Sequence, residues 1–373
     1  MTEKTPSKTL RFFKKEPVLS ISAVCAVISA LFVPPSAAYV DYIDFRVLAL
    51  LFCLMAVVAG LQRYGLFTWL AKKMLSGKKQ RRTLFLLLIL LPFFSSMLVT
   101  NDVALITFVP FAILILGLTG QEKYMIFVIV MQTVAANLGS MATPVGNPQN
   151  LFLYSRYSLS AGEFFAAVLP YALLSLPLLT VSVLFCPKEE ISVSLPEAKE
   201  DIKKDRIALY LILFVLCLLS VFHALHWGIL LAIICIALFI ADRALYRTMD
   251  YGLLLTFVCF FIFSGNLGAI DSIKTVLQEL LQKQPLLTSA LASQIISNVP
   301  AAVLLSAFTE DWRALLLGTD LGGLGTPIAS LASLISLRLY MKAEGSSAGK
   351  FLLFFSMVNV VGLALFLGIA MVF

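Results

Sequence analysis

Charge and catalytic side chains are what this chain has least of. Only two histidines occur, His223 and His226, together in one short loop, and no nucleophile or metal constellation surrounds them, which argues against an enzyme. The six cysteines (Cys25, Cys53, Cys186, Cys217, Cys235 and Cys259) are scattered in or beside apolar stretches without a Cys-x-x-Cys pair. They indicate neither a disulfide framework nor a zinc site and read as small core residues. No polar stretch is long enough for a soluble domain, the longest being Pro187 to Arg206. What remains is 60% hydrophobic and 13% charged over 373 residues, with a mean hydropathy of +0.96. Such a composition belongs to an integral membrane protein. The net charge of +7 comes from basic residues in short loops beside apolar runs, a pattern of membrane orientation and not of nucleic-acid binding. Near the start, Val18 to Val33 followed by Pro34-Pro35 is expected to be a retained first helix and not a cleaved signal.

Against this apolar background one stretch stands out. Asn137 to Leu151 (N-L-G-S-M-A-T-P-V-G-N-P-Q-N-L) interrupts an apolar run from Tyr124 to Tyr154 with two glycines, two prolines, three asparagines and a threonine. A run of about 30 residues is long enough to cross the membrane, but these residues unwind helices. Unwound backbone at membrane depth is tolerated only when buried in protein or lining a polar cavity. The phrase returns as Asp320 to Leu334 (D-L-G-G-L-G-T-P-I-A-S-L-A-S-L), aligning Gly139 with Gly322, Thr143 with Thr326 and Pro144 with Pro327. A pair of ordinary proline kinks would not duplicate a whole motif. Interrupted hydrophobic segments at matching places in two halves point to the binding site of a secondary transporter.

The rest of the chain fits two halves. Leu84 to Gly117 is broken only by Thr100-Asn101-Asp102; its counterpart is broken at Ser297-Asn298, with flanking arms of 11 and 10 residues. The longer of these spans only about 16 Å as a helix, so both segments are expected to be re-entrant hairpins with tips near the midplane. Ile43-Asp44-Phe45 matches Met249-Asp250-Tyr251, and Tyr64 to Leu75, with Lys72 and Lys73 among aromatics, suits a helix lying in the interface. The expected fold is an all-α integral membrane protein of about nine transmembrane helices plus two re-entrant hairpins, in two inverted-topology repeats. The first repeat covers 1–186 (hairpin 84–117, broken helix 122–156), a linker and connecting helix 187–223, and the second repeat 224–373 (hairpin 285–308, broken helix 312–340). A cytoplasmic N-terminus and an outer C-terminus leave only Arg46, Arg156, Lys274, Lys283 and Arg313 outside, with the other 23 of 28 basic residues inside. This is the expected placement for a multi-pass cell (inner or plasma) membrane protein.

These motifs resemble those of the Ion Transporter superfamily, which includes arsenite permeases, citrate-metal transporters, sodium/proton antiporters and dicarboxylate symporters. The likeness extends over nearly the whole chain. Thr319 to Leu334 and Thr100 to Leu105 are most similar to the arsenite-permease version, and Ala136 to Asn150 is shared with citrate transporters. The Ser-Asn-Thr tips of dicarboxylate symporters are not kept. The resemblance implies a scaffold domain, a mobile transport domain and a homodimer. Carried over residue by residue, it implies a substrate or ion site at Thr100, Asn101, Asp102, Asn137, Gly139, Thr143, Pro144, Gly146, Asn147, Ser297, Asn298, Asp320, Gly322, Thr326, Pro327 and Ser330.

No Lys or Arg falls inside these motifs, so an anion depends on helix ends, amides and hydroxyls. Asp102 and Asp320 are the only acids at membrane depth, where a carboxylate is expensive and marks function by default. No cofactor or resident metal is expected; a coupling ion, proton or sodium, is expected near Asn101, Asp102, Asn298 and Asp320. The sequence thus favours a secondary transporter of a small anion or oxyanion, citrate- or arsenite-like, working by alternating access of the elevator type. The rival readings are a sodium/proton antiporter and, from another class, a channel. Two opposed blind hairpins disfavour the channel because they block a continuous pore.

Overall fold

The computed structural model describes residues 17–193 and 203–372. The start of the expected first repeat and part of the expected linker lie outside these residues. Its helices, in chain order, are α1 (Pro17–Phe32), α2 (Ala38–Tyr42), α3 (Phe45–Arg63), α4 (Leu66–Leu75), α5 (Arg81–Ser96), α6 (Asn101–Leu118), α7 (Met125–Ser140), α8 (Pro148–Arg156) and α9 (Ala161–Leu184). The second half gives α10 (Lys204–Val221), α11 (Trp227–Ala241), α12 (Tyr251–Gly268), α13 (Asp271–Lys283), α14 (Pro285–Ile296), α15 (Asn298–Leu305), α16 (Trp312–Leu321), α17 (Leu331–Tyr340) and α18 (Ala348–Val372). The protein is an all-α integral membrane protein. Five helices, α3, α6, α9, α12 and α18, are long and apolar enough to cross a membrane, and shorter apolar helices accompany them. Large apolar side chains left exposed, such as Leu31, Ile240 and Leu353, suit a lipid-facing surface.

The repeat is visible in how matching elements begin and pack. Asp44 caps α3 by accepting from the Val47 N–H at 3.0 Å, and its counterpart Asp250 caps α12 by accepting from Leu253 at 2.9 Å. The start of α3 (Asp44, Phe45) and the end of α12 (Ser264, Gly265) line one cavity. The end of α3 (Gln62) and the start of α12 (Asp250, Leu253) line another. These equivalent helices therefore run in opposite directions. Likewise α5 packs on α7 as α14 packs on α16, while α6 meets α17 and α8 meets α15 across the halves.

Both interruptions form as the prolines and glycines dictate, at residues 141–147 and 322–330. The helices persist slightly longer than the motif suggests: Asn137 and Gly139 still belong to α7, and Asp320 to α16. The first hairpin also differs from the second. Its arms, α5 and α6, have 16 and 18 residues, against 12 and 8 for α14 and α15, so α6 alone is long enough to span. Its tip is nevertheless enclosed by protein, with Asn101 only 5% exposed. A small sheet is also present: the expected linker begins with strand β2 (Glu190–Val193), antiparallel to β1 (Gly77–Gln80), with Lys78 opposite Ser192. Beside it Arg81 forms an ion pair with Glu189, and Arg82 Nε donates to the Cys186 carbonyl at 2.6 Å. The sheet thus fastens the end of α9 to the start of α5.

Candidate functional site

Each hairpin tip docks on the opened backbone of its own repeat through the same two bonds. The Asn101 N–H donates to the Gly146 carbonyl at 3.2 Å, and Asn298 N–H to Ala329, which occupies the same place, at 2.9 Å. Thr143 Oγ1 donates to the Met97 carbonyl, and its counterpart Thr326 Oγ1 to the Gln294 carbonyl at 3.1 Å. One carbonyl of each unwound segment and one near each hairpin tip are thereby paired within the protein. The tip of the second hairpin is held at Ser297 with φ +73°, and the Ser297 hydroxyl donates to the Ala329 carbonyl at 3.3 Å.

The two broken helices then bond to each other crosswise. Asn147, which caps α8 by accepting from the Asn150 N–H, donates through Nδ2 to Asp320 Oδ1 at 3.3 Å. Ser330, the counterpart of Asn147, donates to Asn137 Oδ1 at 3.1 Å, and Asn137 is the counterpart of Asp320. Asn137 Oδ1 also accepts from Asn101 Nδ2 at 2.9 Å, and Asn137 Nδ2 donates to the Gly323 carbonyl at 3.3 Å. The N-termini of α8 and α17 therefore meet at one buried polar centre, each bringing positive partial charge.

Not every expected residue reaches this centre. Gly139 and Gly322 instead let the hairpins pack close: a Cβ at Gly139 would lie 2.2 Å from the Phe93 carbonyl and 2.7 Å from Ser96 Oγ. One at Gly322 would lie 2.8 Å from Ser293 Oγ. Gly146 is needed inside the break, where a Cβ would be 2.0 Å from the Ser140 carbonyl. Pro144 and Pro327 lie within the breaks, next to the two tethering threonines. Thr100 lines a cavity of about 270 Å³ together with Asp102, Asn147 and Asp250. Asp102 also lines a cavity of about 210 Å³ that contains Asp250, Ser297 and Arg338, and a smaller one of about 20 Å³ beside Gln149, Asn298 and Ser330. All three lie on the side where α3 ends and α12 starts. On the opposite side a cavity of about 470 Å³, holding Asp44 and Arg156, stops at Val303 and Ser306 and includes no motif residue.

The structure adds polar residues that the motif reading left out. Gln149 Nε2 donates to Asp320 Oδ1 at 3.3 Å, and Asn150 Nδ2 supports the break at the Met141 and Thr143 carbonyls. In the second repeat Gln294 does this work from the hairpin: Nε2 donates to the Gly322 and Leu324 carbonyls and Oε1 accepts from the Thr326 N–H. The residues expected around an ion differ in how fully their oxygens are engaged. Asn101 Oδ1 and Asn298 Oδ1 already accept from the Asp102 and Val299 N–H groups, whereas Asp320 Oδ2, Gln149 Oε1 and Asn150 Oδ1 are buried without a partner. Among the described residues no cluster of three His, Cys, Asp or Glu side chains suits a metal ion.

Comparison with known proteins places this geometry in context. A family model described as the citrate transporter matches residues 8–311. An uncharacterized transporter of Methanocaldococcus jannaschii is 33% identical over 336 residues, covering 89% of this chain and 90% of its own length. An inner membrane protein of Escherichia coli K12 is 30% identical over 305 residues, 80% of each chain. The silicon efflux transporter of Oryza sativa is 32% identical over 130 residues, 34% of this chain and 26% of its own.

Proposed function

The chain belongs to the citrate transporter family, and from that premise we propose that it is a secondary active transporter of a small anion or oxyanion, coupled to protons or sodium. It is a multi-pass membrane transporter and not an enzyme. The observation that carries the finer reading is the crosswise pairing of two broken helices, Asn147 with Asp320 and Ser330 with Asn137. That arrangement gives one polar centre, shared by two oppositely directed halves, to which α8 and α17 present their N-termini. An oxyanion or a carboxylate suits such ends. Among the described residues, the cavities lined by motif residues open on one side while the one on the other side stops short of them, as one state of an alternating-access cycle requires. With the N-terminus in the cytoplasm that side is the cytoplasmic one. Elevator movement of α5–α8 and α14–α17 against α1, α3 and α10–α12 would expose the centre to the other side. The sodium/proton antiporter is the second reading, favoured by the two acids and the absence of Lys and Arg among the motif residues.

The test is counterflow in proteoliposomes with citrate, arsenite, phosphate and silicic acid in turn. Saturable exchange of one of them supports the carrier. Sodium or proton flux with no exchange of any of the four supports the antiporter, and unitary currents would make the protein a channel.

A further inference from the structure

We propose that Asp320 and Gln149 together seat the coupling cation, one positive charge held between Asp320 Oδ2 and Gln149 Oε1, with Asn150 Oδ1 as the third oxygen nearby in sequence. The inference rests on the transporter reading and assigns the ion of its cycle to particular atoms. Asp320, Gln149 and Asn150 are 3%, 1% and 0% exposed. Asp320 Oδ1 is fully engaged, accepting from Asn147 Nδ2 and Gln149 Nε2. The other carboxyl oxygen has no donor, and neither do the Gln149 and Asn150 carboxamide oxygens. When a carboxamide donates to one oxygen of a carboxyl group through the N–H cis to its own oxygen, that oxygen comes beside the other carboxyl oxygen. One proton closes that pair with an O–H···O bond. A sodium ion satisfies the same oxygens as hard ligands. Left empty, the seat leaves Asp320 Oδ2 and the two carboxamide oxygens without a donor, and only the bonds to Oδ1 and the helix ends offset the buried charge.

No cationic side chain fills that role. Of the helices packed on α16, α7, α14 and α15 contain no Asp, Glu, His, Lys or Arg. In the other three, Arg156 ends α8, Glu163 lies in the first turn of α9 and Lys350 in that of α18, and the only titratable groups further along are Tyr154 and Tyr171. Arg313 is at the far end of α16 itself. The pseudo-equivalent centre makes the contrast plain. There the acid is replaced by Asn137, whose Oδ1 and Nδ2 are all engaged, and the place of Gln149 is taken by Ala332. At the neutral centre Ser333 Oγ, the counterpart of Asn150, also lacks a partner, but no acid is buried there, whereas the acidic centre lacks a single positive charge.

A route to the seat is present as well. Gln149 and Asp102 line the same cavity of about 20 Å³, room for one water, and Asp102 also borders the two larger cavities. Asp102 is thus the outer post and Asp320 the inner one.

Infrared difference spectra of the full chain in liposomes, titrated with protons at fixed sodium and with sodium at fixed pH, test this without any substrate. An Asp320-dependent carboxyl or carboxylate band, absent in Asp320→Asn, should respond to one of the two titrations and so identify the ion. In Gln149→Met, which keeps the bulk but removes both the oxygen and the N–H that donates to Asp320 Oδ1, the midpoint should shift by about tenfold. Gln149→Glu, which keeps the shape and adds negative charge, should move it toward lower cation concentration and serves if the Met variant fails to fold. An unchanged midpoint in either folded variant, or no Asp320-dependent band in either titration, overturns the seat. If the band titrates but counterflow fails with every substrate, the seat survives and the anion-carrier reading falls.

Discussion

Asn137 is the residue through which the centre can be taken apart with a predictable cost. Its side chain accepts from Asn101 and Ser330 and donates to the Gly323 carbonyl, at 2.9, 3.1 and 3.3 Å, linking the first hairpin, both broken helices and the second break. Asn137→Ala leaves three buried groups without their partner. At about 1–3 kcal/mol for each unsatisfied group, and with water able to enter from the adjacent small cavity, the expected loss is roughly 3 kcal/mol. Asn137→Asp keeps both accepted bonds and, when protonated, can donate to the Gly323 carbonyl, so at acid pH its loss should be at most about a third to a half of that, growing at neutral pH as a buried charge is added. Equilibrium unfolding in mixed micelles measures both, and counterflow per folded molecule measures the site. The Ala variant should lose both stability and exchange, while the Asp variant stays better folded at acid pH. A loss below about 1 kcal/mol in Asn137→Ala, with exchange intact, would refute the idea that this crosswise network holds the two halves in register.

Other expectations follow from separate parts of the molecule. Cysteines replacing Lys78 and Ser192, which face each other across the small sheet, should label from the cytoplasmic side, and one replacing Gln282 only from outside. Labelling of all three from one side would end the inverted-repeat orientation. Replacing both Pro144 and Pro327 by Ala should let backbone pairing close across the breaks, with flux per folded molecule falling by about tenfold or more while expression changes less; undiminished flux would contradict it. His223 stacks on Tyr154 and touches Arg46, and burial and the Arg46 charge lower its pKa from the ordinary 6.5. Folding therefore favours the neutral ring, so this contact is complete above the ordinary pKa and weakens as the pH falls through the folded value. Thermal melts between about pH 7.5 and pH 5 should show a larger acid loss for the wild type than for His223→Asn, whose side chain tolerates the positive φ of 65°; parallel curves would contradict it.

The breaks, the repeat and most of the centre were legible because unwinding residues in an apolar run have few other uses. Asp44 and Asp250 were legible as a matched pair and proved to be matched helix caps. Other features carried no local signal. The four-residue strands at Gly77–Gln80 and Glu190–Val193 are short and in part polar, and their pairing spans more than a hundred residues. Gly139 and Gly322 were read as site glycines because a motif does not say which of its residues face the ligand and which face the neighbouring helix. Gln149 had a signal that went unused. Asp102 and Asp320 stand out as the only acids at membrane depth, whereas a comparison of the halves where they disagree places Gln149 opposite Ala332 and Gln294 opposite Met97. A polar side chain in one copy and an apolar one in the other marks a task that only one half performs.

That asymmetry also constrains how transport and the cation are linked. If the polar centre moves relative to the scaffold, as an elevator requires, Asp320 must pass a low-dielectric surround with no cationic side chain near it, and a bare carboxylate there is costly. A cation on the seat removes the charge. An anionic substrate bound at the N-termini of α8 and α17 adds another negative charge and makes the empty seat still less favourable. Substrate and cation therefore stabilise the same mobile state, and each raises the affinity for the other. An uncharged hydroxylated substrate adds no charge, so it leaves the seat's occupancy to the ion gradient alone. The same pair, Asp320 and Gln149, can thus give tight symport with an anion and loose coupling with a neutral acid, without any change in the fold around them.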